Sequence, residues 1–171
     1  MTTQSHVPSG KEPQTILVVD DDPSMLVLCS TKLEKAGFKV LQATGSSEAL
    51  KIGSEHQGMI DLLLSDLLLP PQGFSLASAN NKFPRVHGHL LVERFLEMKK
   101  DARILLMSAL SDQELRDRDI LVGNFPFIRK PFTMETLLEK VQEALGAAPP
   151  AMGRKGSKEP PAEEKDIHWY D

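Results

Sequence analysis

Apolar residues along the chain follow two alternating rhythms. Short unbroken runs alternate with longer stretches in which apolar positions recur every three or four residues. The first run, Thr15-Ile16-Leu17-Val18-Val19, closes on Asp20-Asp21-Asp22 and predicts a buried strand. Asp22-Pro23 then supplies a helix cap and a proline at the first helical position. Leu26, Cys29, Leu33 and Ala36 follow at helical spacing, and Gly37 closes the helix. The alternation repeats: a strand over 38–41, a helix over 46–56, a strand over 61–65, and a helix over 88–99 with Leu91, Phe95 and Met98 on one face. A strand over 103–107 is followed by Ser111-Asp-Gln-Glu114, a capping box that opens a short helix. A fifth strand covers 124–128. Thr133 caps a last helix whose apolar stripe is Leu137, Val141, Ala144 and Leu145. Strands alternating with helices in this way define an α/β protein, with a parallel sheet covered on both faces. Right-handed crossovers restrict it to few topologies.

The ends of the chain break this rhythm. Residues 1–13 are rich in Ser, Thr, Pro and Gly and read as a disordered lead. Residues 147–171 read as a disordered tail, leaving one domain over 14–146. The 171-residue chain is long enough to bury a core without disulfides or metal staples. A net charge of −4 offers no electrostatic reason for direct nucleic-acid binding. Cys29 is the only cysteine, so no internal disulfide can form, and a reducing cytoplasm is the natural compartment. Within the apolar helical stripe it reads as a small buried hydrophobe. No apolar run approaches the roughly 20 residues that span a bilayer, which argues against membrane insertion.

In a sheet of this kind ligands bind outside the carboxyl ends of the strands. The predicted strand ends carry Asp20-Asp21-Asp22, Asp66, Ser108 and Lys130-Pro131. Clustered carboxylates repel one another, and a divalent oxygen-seeking cation removes the conflict. Mg²⁺ commonly takes one or two carboxylates together with phosphate oxygens and water. A hydroxyl and an ammonium at the same rim could serve a phosphoryl group, and an aspartate can be the nucleophile that receives it. Of the three adjacent aspartates, Asp22 before Pro23 is the better cap, which leaves Asp20 and Asp21 for metal.

Four segments together resemble the response-regulator receiver domains of bacterial two-component phosphorelay systems, the single-domain CheY-like type. They are Ile16-Leu-Val-Val-Asp-Asp-Asp-Pro23, Leu62-Leu-Leu-Ser-Asp66-Leu-Leu-Leu-Pro70, Leu105-Leu-Met-Ser108-Ala109 and Phe127-Ile-Arg-Lys130-Pro131-Phe132. The likeness covers about residues 14–146. It implies a flavodoxin-like, doubly wound five-stranded parallel sheet of order 2-1-3-4-5, with helices on both faces. It implies that Asp66 is the phosphoacceptor and that Asp20, Asp21, Asp66 and the backbone carbonyl of Leu68 hold Mg²⁺. Lys130 would bind a phosphate oxygen, Ser108 would move toward the phosphoryl group, and Phe127 would turn inward in response. The phosphodonor would be a sensor histidine kinase or a histidine phosphotransfer protein. With no room for a DNA-binding domain after Leu145, output would pass through contacts with a further protein. Such a chain is a phosphoprotein and no enzyme beyond phosphoryl transfer to its own aspartate and its hydrolysis.

Three features depart from that pattern or compete with it. An insertion of roughly a dozen residues, within 71–87, separates Pro70 from the next helix and is longer than most loops inside a domain. Starting beside Asp66, it is placed to restrict access to an acyl phosphate or to shape donor recognition. Leu68 and Leu110 border the path that a hydrolytic water takes in the family. Their side chains cannot hydrogen-bond to it, so slow self-dephosphorylation is expected. The tail ends in Lys165-Asp-Ile-His-Trp-Tyr-Asp171 and holds the only Trp and the only Tyr, which could anchor a partner. Two other functions compete: a pseudo-receiver that is never phosphorylated and binds constitutively, and a haloacid-dehalogenase-type phosphatase. Asp66, Ser108 and Lys130 argue against the first. Against the second stands Pro23-Ser24 where that family usually has Gly-Thr, and the acids after Lys130 (Glu135, Glu139 and Glu143) are helical. His87 and His89 match no zinc-ligand spacing and read as solvated.

Overall fold

The computed structural model describes residues 12–69, 88–117 and 125–150. The lead before residue 12, most of the tail and the insertion within 71–87 lie outside the described residues, as do His87 and the start of the fifth strand at 124. Ten elements alternate: β1 (Thr15–Val19), α1 (Pro23–Lys35), β2 (Lys39–Ala43), α2 (Ser46–Glu55), β3 (Leu62–Asp66), α3 (Gly88–Met98), β4 (Arg103–Ser108), α4 (Asp112–Asp117), β5 (Phe127–Arg129) and α5 (Met134–Gly146). The strands form one parallel sheet in the order β2-β1-β3-β4-β5. This is the doubly wound arrangement expected from the sequence.

The unbroken apolar runs have a simple cause. A parallel strand covered on both faces must be apolar at every position, and β1 is buried throughout. Its two faces feed separate cores. Leu17 and Val19 join Leu63, Leu106, Ala49 of α2, Phe95 of α3 and Leu115 of α4. Ile16 and Val18 join Leu62, Leu64, Met107, and the stripes Leu26-Cys29-Leu33 of α1 and Leu137-Val141-Ala144 of α5. Thus α1 and α5 cover one face, while α2, α3 and α4 cover the other. Gly53 lets α2 approach α3 closely, since a Cβ there would lie 3.0 Å from the Phe95 ring.

Local signals behave as their chemistry requires. The Asp22 carboxylate accepts from Ser24 N at 2.8 Å and caps α1. Gly37 takes φ +93° after that helix, a conformation that disfavours any side chain. The Thr133 hydroxyl caps α5. The Ser111–Glu114 capping box forms as expected, the Glu114 carboxylate accepting from Ser111 N at 2.8 Å. Cys29 is buried, and loss of hydration there pushes its thiol up to about 11.

Element bounds differ from expectation by one or two residues, except that β5 begins at Phe127 and not at 124, and three side chains differ in kind. Asp61 lies just before β3, not within it, and its carboxylate accepts from Thr15 N at 2.7 Å. A polar group there satisfies the first amide of β1. Ala36 is exposed because it falls past the last turn of α1. Met98, at the end of α3, is 39% exposed. Among the described residues no helix is long and apolar enough to cross a membrane.

Removing the buried side chain of Leu64, fully enclosed between β1, β4 and the α1/α5 layer, leaves a cavity that neighbours only partly fill. Leu64→Ala is therefore expected to lower the unfolding free energy by about 2–5 kcal/mol in a urea titration. Val27→Ala, on the solvent side of α1 at 61% exposure, should change it by no more than about 0.5 kcal/mol. Equal losses at the two positions would contradict the burial pattern.

Candidate functional site

The carboxyl ends of β1, β3, β4 and β5 meet at one rim. The register sets Val19 opposite Ser65, Asp66 opposite Met107, and Ser108 opposite Arg129. Asp20, Asp66, Ser108 and Lys130 therefore leave the sheet on the same edge. Asp20 is held there by its own amide, which donates to Ala43 O at 3.2 Å, and its Oδ1 accepts from Asp22 N at 2.9 Å. The turn into α1 thus fixes Asp20 facing inward and leaves Asp21 exposed beside it.

The central contact is the Lys130 ammonium. It donates to Asp20 Oδ2 at 2.7 Å and to Asp66 Oδ2 at 2.8 Å. All three side chains are largely withdrawn from water. The other oxygen of Asp66, Oδ1, accepts from Leu68 N at 2.8 Å. Burial acts to push the Asp66 carboxyl above the usual aspartate range, and Asp20 adds to this; Lys130 and the Leu68 amide oppose the rise without cancelling it. For Lys130 burial acts to lower the pKa, but its hydrogen bonds to Asp20 and Asp66 outweigh it and leave the ammonium above the ordinary lysine value.

Asp20, Asp21 and Asp66 each present one carboxylate oxygen, and these lie within 4.8 Å of one another. In their ionised forms they outnumber the single Lys130 charge. A small divalent cation with oxygen preference fits such a set, with water or phosphate oxygens filling its remaining positions. The structure brings Lys130, Asp20, Asp21 and Asp66 together. Leu68 joins them through its amide. Ser108 is at the rim but makes no hydrogen bond to Asp66 among the described residues; its Oγ accepts from Leu110 N at 3.1 Å. Phe127 is half-buried against the α2/α3/α4 core. The Lys130–Pro131 peptide bond is cis.

One participant was not legible in the sequence. The Arg129 guanidinium reaches the Leu110 carbonyl and Asp112 Oδ1 and lies 5.7 Å from the Phe127 ring centroid. Arg129 and Asp112 are 17 residues apart, with no motif joining them. Only its place next to Lys130 could have drawn attention to it.

A parallel sheet in the order β2-β1-β3-β4-β5 thus carries a carboxylate cluster and a lysine at its carboxyl rim. The response regulator receiver domain family model matches residues 16–142. The chain belongs to that family. It is 25% identical over 130 residues to response regulator SaeR of Staphylococcus epidermidis, covering 76% of this chain and 49% of that protein. It is 29% identical over 132 residues to the DNA-binding regulator RpaA of Synechocystis, covering 76% and 48%. With chemotaxis protein CheY of Treponema pallidum it shares 27% over 148 residues, covering 84% and 94%. The chain thus spans about half the length of SaeR and RpaA but nearly all of that CheY. Among solved structures, a CheY-like receiver protein from Methanospirillum hungatei has a TM-score of 0.60 at 25% identity, covering 78% of this chain and 94% of its own. CheY4 of Vibrio cholerae has 0.58 at 26%, covering 78% and 99%.

The raised Asp66 value has a stability consequence. A carboxyl that binds its proton more tightly when folded favours the fold most below the ordinary aspartate pKa, and that contribution is lost as pH rises through the folded value. Near pH 7, without metal, ionised Asp66 therefore weakens the fold. Asp66→Asn removes the charge while Lys130 keeps Asp20. It is expected to raise Tm in a thermal melt at pH 7 without metal. A lower Tm than wild type would mean that the ionised Asp66–Lys130 pair is net stabilising.

Proposed function

We propose that this chain accepts a phosphoryl group on Asp66, with Mg²⁺, from a sensor histidine kinase or histidine phosphotransfer protein, and passes the signal on by contact with a further protein. The observation that carries this reading is the Lys130 ammonium shared between Asp20 and Asp66. It marks the one carboxylate on β3 that is held, shielded and flanked by a cation. A carboxylate oxygen of Asp66 would attack the phosphorus. The bond from phosphorus to the donor imidazole nitrogen would break with its electron pair left on nitrogen, and an acyl phosphate would remain on Asp66. Mg²⁺ held by Asp20, Asp21, Asp66 and the Leu68 carbonyl would neutralise phosphate oxygens. Lys130 would turn from Asp66 Oδ2 to a phosphate oxygen while keeping Asp20. Ser108 would give up its contact with the Leu110 amide and donate its hydroxyl to another phosphate oxygen, and Phe127 would follow inward. Each of these moves is local, and together they bias a two-state surface by adding about −1.5 to −2 charge.

The receiver unit in this reading runs over 14–146, with the insertion at 71–87 following Asp66 in the sequence, and no external substrate is turned over. A cytoplasmic location fits the buried, unpaired Cys29. Intact mass after incubation with Mg²⁺ and acetyl phosphate tests the chemistry. One phosphoryl adduct is expected on wild type and none on Asp66→Asn, with Asp20→Asn and Lys130→Ala strongly slowed. An unmodified wild type would favour a pseudo-receiver. The same measurement gives the lifetime. Leu68 and Leu110, the latter only 7% exposed, bring no polar side chain to a hydrolytic water, so an adduct persisting for many minutes is expected; loss within seconds would reject that view.

A further inference from the structure

We infer that Arg129 and Asp112 form a latch that sets the resting position of the Ser108 hydroxyl, and so act as positioning residues for phosphoryl binding. This rests on the proposed receiver chemistry but goes beyond it. The segment Ser108–Asp112 links β4 to α4 and is tied to β5 at three points. Lys130 N donates to Ser108 O at 2.8 Å. The Arg129 guanidinium donates through Nη1 to the Leu110 carbonyl and through Nη2 to Asp112 Oδ1 at 2.5 Å. One planar fork thus grips the segment at two positions, a geometry that an ammonium cannot reproduce.

The held state is a definite one. With the Leu110 carbonyl fixed by Arg129, the Leu110 amide donates to Ser108 Oγ at 3.1 Å. Leu110 itself is anchored in the α2/α3/α4 core. To reach a phosphoryl group on Asp66, the hydroxyl must break from that amide, which requires the backbone at Leu110 to shift. Arg129 opposes that shift at the next peptide group. The guanidinium also lies 5.7 Å from the centroid of Phe127, the aromatic that would follow Ser108 inward. Loop and aromatic therefore share one side chain, on the residue directly before Lys130.

Because the pair is partly solvated, with side-chain exposures of 44% and 73%, its hold is modest. Exposed ion pairs have energies that correspond to changes of about two- to fivefold in an equilibrium. Beryllium trifluoride with Mg²⁺, a phosphoryl mimic that needs no chemistry, reads this directly. Its affinity is measured by NMR titration, following the backbone amide of Leu110, for wild type, Asp112→Asn, Arg129→Ala, their double variant and Arg129→Lys, and for Ser108→Ala alone and combined with Asp112→Asn or with Arg129→Ala. Asp112→Asn and Arg129→Ala should each tighten binding about two- to fivefold, Arg129→Lys less. Combining the two should add little to Arg129→Ala alone, since removing Arg129 already takes away its contacts with both Leu110 and Asp112. Neither should change affinity once Ser108 is alanine, because the latch acts through that hydroxyl. A purely electrostatic effect of Arg129 on the rim would persist in the Ser108→Ala background and would overturn the inference. Unchanged or weakened binding in both single variants would overturn it as well, while leaving the receiver reading intact. A wild type that does not bind the mimic would overturn the receiver reading and the latch with it. If Arg129→Ala fails to fold, Asp112→Asn alone decides, since it keeps Arg129 and removes only the carboxylate charge.

Discussion

Everything at the rim depends on one ammonium placed between two carboxylates. Asp20 and Asp66 end adjacent strands and point into the same water-poor space, an arrangement that repulsion and desolvation both oppose. Lys130 makes it tolerable, and it does so from a distance. β4 separates β5 from β3, so the two strand ends are roughly 10 Å apart at ordinary sheet spacing. Only a long side chain passing the end of β4 can bridge that gap. The residue at the end of β4 is correspondingly small, Ser108. One geometric requirement thus explains both the lysine and the small hydroxyl residue beside it.

The compensation is incomplete, and that incompleteness is what makes the site chemical. Asp66 remains raised above an ordinary aspartate even with Lys130 and the Leu68 amide against it. Asp21 adds a further carboxylate oxygen within reach of the other two. A cluster left with excess negative charge is one that could hold a cation. The core around it is rigid by contrast. Two separate apolar layers grip the sheet from either face, so the strand ends cannot drift to relieve the charge. Adjustment is left to the segment after β4, where Ser108 is engaged by the loop's own amide and Arg129 grips the backbone beyond it.

The relatives place this chain within a family whose members differ in what surrounds the same module. It spans about half of SaeR and RpaA and nearly all of a CheY of Treponema pallidum. The module itself is shared at modest identity. That is what a fold maintained by burial allows: the core tolerates many apolar exchanges of similar volume.

The sequence by itself determined the order and type of the elements, because two-sided burial leaves a parallel strand no choice but continuous apolar character and because Asp22-Pro23, Gly37 and Thr133 carry their capping chemistry locally. It also placed Asp20, Asp21, Asp66, Ser108 and Lys130 at strand ends. The response-regulator likeness linked them to one chemistry. Tertiary structure alone decided which carboxylates share Lys130, since Asp20 and Asp66 lie 110 and 64 residues away from it. It alone decided that Asp61 caps the mouth of β1 and that Arg129 reaches Leu110 and Asp112. Those contacts depend on side-chain reach across neighbouring strands, which no local periodicity encodes.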